Sequence, residues 1–284
     1  MHLRNEAIVL ILPSKGWPWA ILLLVVVLLL KTATLNAQPQ KVGYNAGEKI
    51  TYGAYYNWHF IWIDAGEVVL TADTLELNSR PVWEFRATGH TFSAYDLFYS
   101  VRDTFCAVVN QKPFLPLEFR RVINHGKEHS LHEYRFDTAS HKIYSHIHRN
   151  GEKPFDDVLT PKKKVFDILT TAYNFRGIDF NSLHEGQQVI FSMLIDNQIE
   201  NLSFRYEGID DVKTRNGQRF RCYKLSVKLL AGDFFPEGEH MKVWLTADKN
   251  RIPIMVETQI LVGSVKALFQ KAEQLKFPMD AKLK

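Results

Sequence analysis

Six histidines, His125, His129, His132, His141, His146 and His148, fall within one short span of the chain. Neutral imidazole is both a metal ligand and a base that works near neutral pH. On a strand, side chains two residues apart point the same way, so His146 and His148 can face one ion together. A zinc site needs three or four ligands and outer partners that orient them. The span contains no Cys, and its carboxylates Glu128, Glu133 and Asp137 are scattered. The simpler expectation is a polar outer face on a hairpin whose tip lies near Thr138 to Ser140. On that reading there is no metal site, and His146 and His148 are the nearest approach to one.

Asp103 sits in a run of alternating apolar residues, Tyr99, Val101, Phe105, Ala107 and Val109. A carboxylate there is a functional acid, the partner of an arginine such as Arg102 or Arg120, or a residue placed where the strand meets solvent. Asp156-Asp157 and Asp210-Asp211 are adjacent pairs, and neighbours on a strand face opposite ways, so neither pair builds one acid site. His184-Glu185 starts like a metallopeptidase helix, but Gln188 stands where the second His belongs. No glycine-rich phosphate loop and no Gly-x-Ser-x-Gly elbow is present. The sequence therefore names no catalytic residue and calls for no cofactor. A hydrolase or metalloenzyme would need several of His125 to His148, Asp103 and nearby acids to converge in one cleft.

The stretch from Tyr55 to Trp62 is dense in aromatics. On a strand pair such residues are core. On a loop they make a sticky surface for a sugar, a lipid or a protein. The candidate ligand-binding residues are Trp58, Phe60 and Trp62, with Asp103 and Tyr173 beside them.

These side chains are positioned by strands. Period-two alternation dominates after residue 48. Trp83, Phe85 and Ala87 alternate with Glu84, Arg86 and Thr88, and Ile143, Ser145 and Ile147 oppose Tyr144, His146 and His148. Val189 to Ile195, Leu202 to Tyr206, Tyr223 to Leu229, Met241 to Leu245 and Ile254 to Ile260 continue the pattern. Turn residues separate the runs at Asn150-Gly151, Asp196-Asn197, Asn216-Gly217 and Asp248 to Asn250. One helix is expected at 161–176, with Thr160 as its cap, Pro161 in its first turn and Gly177 ending it. Its apolar face, Val165, Ile168, Leu169, Ala172 and Tyr173, would cover an open end or edge of the sheet. Gly47 to Tyr52 and Gly186 to Phe191 open two stretches of similar pattern, about 43–150 and 186–270. The fold class is therefore mainly β: strongly curved antiparallel sheets, as a barrel or a sandwich, built from two similar halves in one domain over 38–284.

Residues 17–30 are almost wholly apolar, with Lys15 before them and the small polar stretch Thr32 to Ala37 after them. These are the parts of a secretory signal peptide, with cleavage expected after Ala37. An uncleaved anchor is the alternative, and it would be the chain's only membrane contact. Beyond residue 37 there are 32 basic and 30 acidic residues. That near-neutral balance argues against a nucleic-acid partner, which demands a concentrated basic face. Export would permit a disulfide between the two cysteines, Cys106 and Cys222. Both also lie in strand-like runs, where free Cys is a common small apolar residue.

Several short motifs occur in one order: Tyr44 to Tyr52, Ala65-Gly66-Glu67, Trp83 to Phe85, Tyr99 to Asp103 and Pro116 to Glu118. Phe166 to Arg176, Val243 to Asp248 and Arg251 to Ile254 complete the series. In this order, over roughly residues 43–270, the chain resembles the exported family catalogued as domain of unknown function 3108. The resemblance implies a periplasmic protein built from strongly curved antiparallel sheet, and it carries over no catalytic residue.

The functional expectation is an envelope protein that binds a hydrophobic or glycan ligand, or an envelope protein partner, on a curved sheet. A scaffolding protein without a small ligand is the second reading, and an enzyme using the His-rich 125–148 region the third. The space under the helix discriminates between the first two: an apolar cavity suits a carrier, and a filled core suits a scaffold.

Overall fold

The computed structural model describes residues 43–58, 61–95, 100–228, 240–259 and 264–284. Residues 1–37, expected above to be a signal peptide, and Phe60 lie outside these residues. The first half is a meander: β1 (Glu48–Trp58), β2 (Ile61–Leu77), β3 (Arg80–Thr91), β4 (Arg102–Asn110), β5 (Pro116–His125), β6 (Glu128–Asp137), β7 (Lys142–Arg149) and β8 (Phe155–Leu159). A short strand, β9 (Val165–Phe166), and a helix, α1 (Ile168–Phe175), come next. The second half contains β10 (Gln188–Ile195), β11 (Gln198–Lys213), β12 (Arg219–Lys228), β13 (His240–Thr246), β14 (Pro253–Gln259), β15 (Ser264–Glu273) and β16 (Lys282–Leu283).

All of these strands belong to one sheet. It runs from β8 back to β1, crosses to β15, and then runs from β15 back to β9, with β16 attached to β12. The central join is the antiparallel pairing of β1 with β15. Of the two architectures expected, a pair of sheets packed face to face is therefore not the one formed. β9 is parallel to β10, and the other ladders are antiparallel.

Chain length makes this sheet curl. With neighbouring strands about 4.8 Å apart, a flat sheet would separate β8 from β9 by about 70 Å. Only Thr160 to Lys164 links Leu159 to Val165, and so few residues span at most about 20 Å. The two edges must come round towards each other. No backbone ladder joins β8 to β9 among the described residues, so the barrel-like wall keeps a seam.

Side chains hold that seam together. Asp196 and Asn197 form the two-residue turn between β10 and β11, both with positive φ, 45° and 65°. Asp and Asn tolerate this conformation, which suits the tight turn of a twisted hairpin. From that turn Asn197 Nδ2 donates to Asp157 Oδ2 on β8 at 2.8 Å, and its backbone N–H donates to the Tyr134 hydroxyl at 3.1 Å. Asp196 forms an ion pair with Arg121 on β5.

The helix differs from the expected one. Its cap is Asp167, whose Oδ1 accepts from the Thr170 N–H at 2.9 Å, and residues 161–167 are not helical. Strand pairing with Ser192 and Met193 takes Val165 and Phe166 into β9. Arg176 caps the far end, and Gly177 after it does not adopt positive φ, so the left-handed glycine cap expected there is not used.

Three apolar clusters fill the interior. One packs Leu169 and Tyr173 of α1 against Phe85, Ala107, Phe119, Phe136 and Ile147, together with Val165 and Leu194 from the other side of the seam. A second joins Ile50, Tyr52 and Phe269 to Phe220 and Ile254. The third gathers Phe180, Phe204, Leu225 and Leu245, with Phe175 against them. A fully buried side chain of this size contributes about 1.5–3 kcal/mol.

Candidate functional site

The aromatic stretch is the β1–β2 hairpin. Asn57 faces Trp62 across the ladder, and Trp58 faces Ile61. The side chains of Trp58 and Phe60 lie outside the described residues. A register shift at Ala54/Tyr55 breaks simple alternation, and Tyr55 is buried. Trp62 stays 37% exposed, so it is neither core nor a free loop residue. Its ring meets Tyr55 edge-on at 6.1 Å. Arg215 lies 5.2 Å from the Trp62 ring centre and 5.3 Å from that of Tyr55. Lys266 approaches Trp62 to 5.1 Å and pairs with Glu257 at 3.0 Å. Cations this close to an aromatic face are attracted by its quadrupole, which fixes the indole as a half-open platform ringed by charge.

Asp103 pairs with neither arginine that the sequence offers. Its Oδ2 lies 2.9 Å from His125 Nε2, and its Oδ1 accepts from the Asn124 backbone N–H at 3.1 Å. Arg120 instead binds Glu133 across β5 and β6. A carboxylate that takes two donors from the next strand orients the imidazole, and the pair is partly buried, with side chains 16% and 29% exposed. Such a pair can relay a proton, but a reaction also needs a nucleophile and an electrophile-stabilising group placed around it.

The histidines do not gather. His146 Nδ1 lies 2.7 Å from Asp156 Oδ1 on the exposed side of β7, and His148 is exposed two residues on. Among the described residues no three His, Cys, Asp or Glu side chains are placed to hold a metal ion. His132 corrects the reading of the tract as an outer face. It is buried on the same side of β6 as Tyr134 and Phe136. Arg121 Nη2 lies 3.3 Å from its Nδ1, and the Tyr134 hydroxyl 3.2 Å from the same atom. Burial first, and then the charge of Arg121, push the imidazole down to about 4.

Tyr173 projects from the buried face of α1 and stacks on Phe85 at 3.8 Å between ring centres. Tyr44 meets both rings edge-on. Tyr173 and Phe85 are 2% and 0% exposed, so this face of α1 is packed against the sheet. At the end of α1, Arg176 and Glu48 form a buried ion pair, with Nη1 to Oε1 at 2.5 Å and Nη2 to Oε2 at 2.9 Å. Arg176 also donates from Nε to the Asn250 carbonyl and from Nη2 to the Gly43 carbonyl. Gly43 permits this: a β-carbon there would sit 2.8 Å from the Lys249 and Asn250 carbonyl oxygens.

The family model described as protein of unknown function (DUF3108) matches residues 51–270. The chain belongs to the DUF3108 family. Among solved structures, it is similar to the crystal structure of a beta-barrel-like protein of domain of unknown function DUF1849 from Brucella abortus. That protein is 8% identical, with a TM-score of 0.50, over 82% of this chain and 99% of the other. At that identity the likeness shows the fold alone, a barrel-like sheet. No curated protein matches the chain.

The structure places Trp62, Asp103 and Tyr173, grouped as ligand-binding candidates by the sequence, in three separate surroundings of this DUF3108 chain, not in one site. Sequence reasoning missed Glu48 and Arg176, although both fall inside the motifs that carry the family resemblance. It also missed Arg215 and Lys266. Nothing in a local pattern tells a solvated arginine from one that will lie over an indole. Cys106 and Cys222 are both free. Burial first, then Glu84, raises the Cys106 thiol to about 11, and burial raises that of Cys222 further.

Proposed function

We propose that this DUF3108 protein is exported to the cell envelope and works by binding a protein partner at its surface, without catalysis. One observation carries the reading. A carrier of apolar cargo needs room inside its curved sheet, whereas here Tyr173, Phe85 and Tyr44 stack where that room would be. The apolar leader and small-residue end of 1–37 support export. The half-open Trp62 platform, with Arg215 and Lys266 on it, supplies a rigid aromatic and guanidinium anchor of the kind enriched at interfaces.

The test replaces Trp62 by a photo-crosslinking amino acid in the cell of origin. A discrete protein adduct in the envelope fraction, on a chain whose first residue is Gln38, is the expected result. A stoichiometric lipid in the solvent extract of the purified protein, or an adduct found only in the cytosol, would refute the proposal.

A further inference from the structure

Beneath α1 the apolar core encloses polar atoms that the protein alone does not satisfy. The hydroxyls of Tyr44, Tyr52 and Tyr173 are buried and reach no hydrogen-bond partner among the described residues. Their residues are 1%, 3% and 2% exposed. Tyr44 and Tyr173 flank the Glu48–Arg176 pair, and Tyr52 lies on the same strand as Glu48. The guanidinium carbon lies 5.4 Å from the ring centres of both Tyr44 and Tyr173, and those two rings are 5.1 Å apart. Tyr52 stands on β1 with Glu48, and its hydroxyl senses the charges of Arg176 and Glu48 as those of the other two do.

An unpaired hydroxyl in a dry interior is costly, and native proteins leave few of them. Three near one ion pair mark a place where a small hydrogen-bonding molecule belongs. We propose that Tyr44, Tyr52, Tyr173, Glu48 and Arg176 form a closed hydration site that holds internal water.

The chemistry selects water over other occupants. Arg176 and Glu48 cancel in charge, so an ion beside them would lie in a weakly screening interior without a counter-charge. Inventory agrees as well. Arg176 uses three of its nitrogens on Glu48, Asn250 and Gly43, and one Nη1 hydrogen is left over. The phenols bring three more hydrogens and three acceptor oxygens. A water molecule accepts two bonds and donates two, so it can link phenols to one another and to the second lone pairs of the Glu48 carboxylate. The helix is then joined to β1 through solvent as well as through its ion pair.

The experiment compares Tyr44→Phe, Tyr52→Phe and Tyr173→Phe, singly and in pairs, in the full chain. Chemical denaturation reads the unfolding equilibrium constant. Phenylalanine keeps the ring stack, so the variants fold. Each single variant should raise the constant about tenfold, the size of one lost hydrogen bond. Pairs should depart from the product of the singles, because they share water. A crystal structure of the parent protein should show water density within hydrogen-bond reach of at least two of the three hydroxyls. If the hydroxyls are truly empty-handed, the Phe variants will unfold no more readily than the parent. That result, an ion in the density, or no water density beside the hydroxyls, would overturn the proposal.

Discussion

Replacing Asp167 by Asn should make the fold acid-sensitive between pH 6.5 and 4, a range over which the parent protein is nearly indifferent. Two buried groups titrate in opposite senses there. Burial and Arg121 press His132 down to about 4 from an ordinary 6.5, Arg149 acts in the same direction, and Asp196 opposes them. Burial raises Asp167 from 3.8 to about 6, against its hydrogen bonds from Thr170. As pH falls through 6.5, the unfolded chain protonates His132 and the folded one does not, so stability is lost until about pH 4. At about 1.4 kcal/mol for each pH unit, that loss is at most about 3 kcal/mol. Asp167 runs the other way. The folded state takes its proton near pH 6 and the unfolded state only near 3.8, so acidification returns about 3 kcal/mol over nearly the same range. Asp137 and Asp196, both held below their ordinary value, add their own acid loss only under about pH 4.

Asn keeps the side-chain oxygen that accepts the Thr170 N–H and is as good a cap as Asp, but it does not titrate. The Asp167→Asn variant therefore shows the His132 loss alone. Urea unfolding at half-unit pH steps, followed by tryptophan fluorescence, should show its midpoint falling by about 1 M between pH 6.5 and 4 at constant slope. The parent midpoint should stay level over pH 6 to 4. Adding His132→Gln should flatten the variant as well. A level midpoint for Asp167→Asn, or a full fall that survives His132→Gln, would refute the reasoning, because the destabilising proton would then bind elsewhere.

Arg176→Met should cost about 3–5 kcal/mol in chemical denaturation by stranding the Glu48 carboxylate in the core, and Glu48→Gln in the same chain should recover most of it. Asn197→Ala should cost about 1–2 kcal/mol, since it loses the bond to Asp157 and puts at positive φ a residue without the short polar side chain that makes this conformation tolerable for Asn. Hydrogen exchange should then rise first in β8. Ellman's reagent, applied without reductant, should find no reactive thiol at Cys222 in the folded protein and two thiols after denaturation. A disulfide between Cys106 and Cys222 would leave none.

What could be read from the chain follows the range of the interaction. Strand faces and tight turns depend on neighbours in sequence, and Phe85, Ile143 and the Asp196-Asn197 turn lie where alternation and turn chemistry put them. The helix start shows where local chemistry ends. Thr160-Pro161 and Asp167 are both acceptable caps, and the choice is made by β10, which draws Val165 and Phe166 into its ladder. His132 was legible in part: it shares parity with Tyr134 and Phe136, a signal outweighed by the number of polar histidines around it.

The buried charges were not legible, because each is defined by a partner far along the chain. Glu48 needs the end of α1, and Arg121 needs a turn on the other side of the seam. The seam makes this dependence physical. A sheet whose edges are joined by Thr160 to Lys164 has to bring them together, but those five residues carry no information on what fills the gap. What fills it is an apolar cluster shared by β7, β9 and β10, sealed by polar contacts from a two-residue turn. Curvature is therefore imposed by chain connectivity, and closure by a few side chains. On that account, loosening Asn197 should disturb the edge strand well before it disturbs the core around Phe85, where the aromatic stack under α1 is independent of the turn.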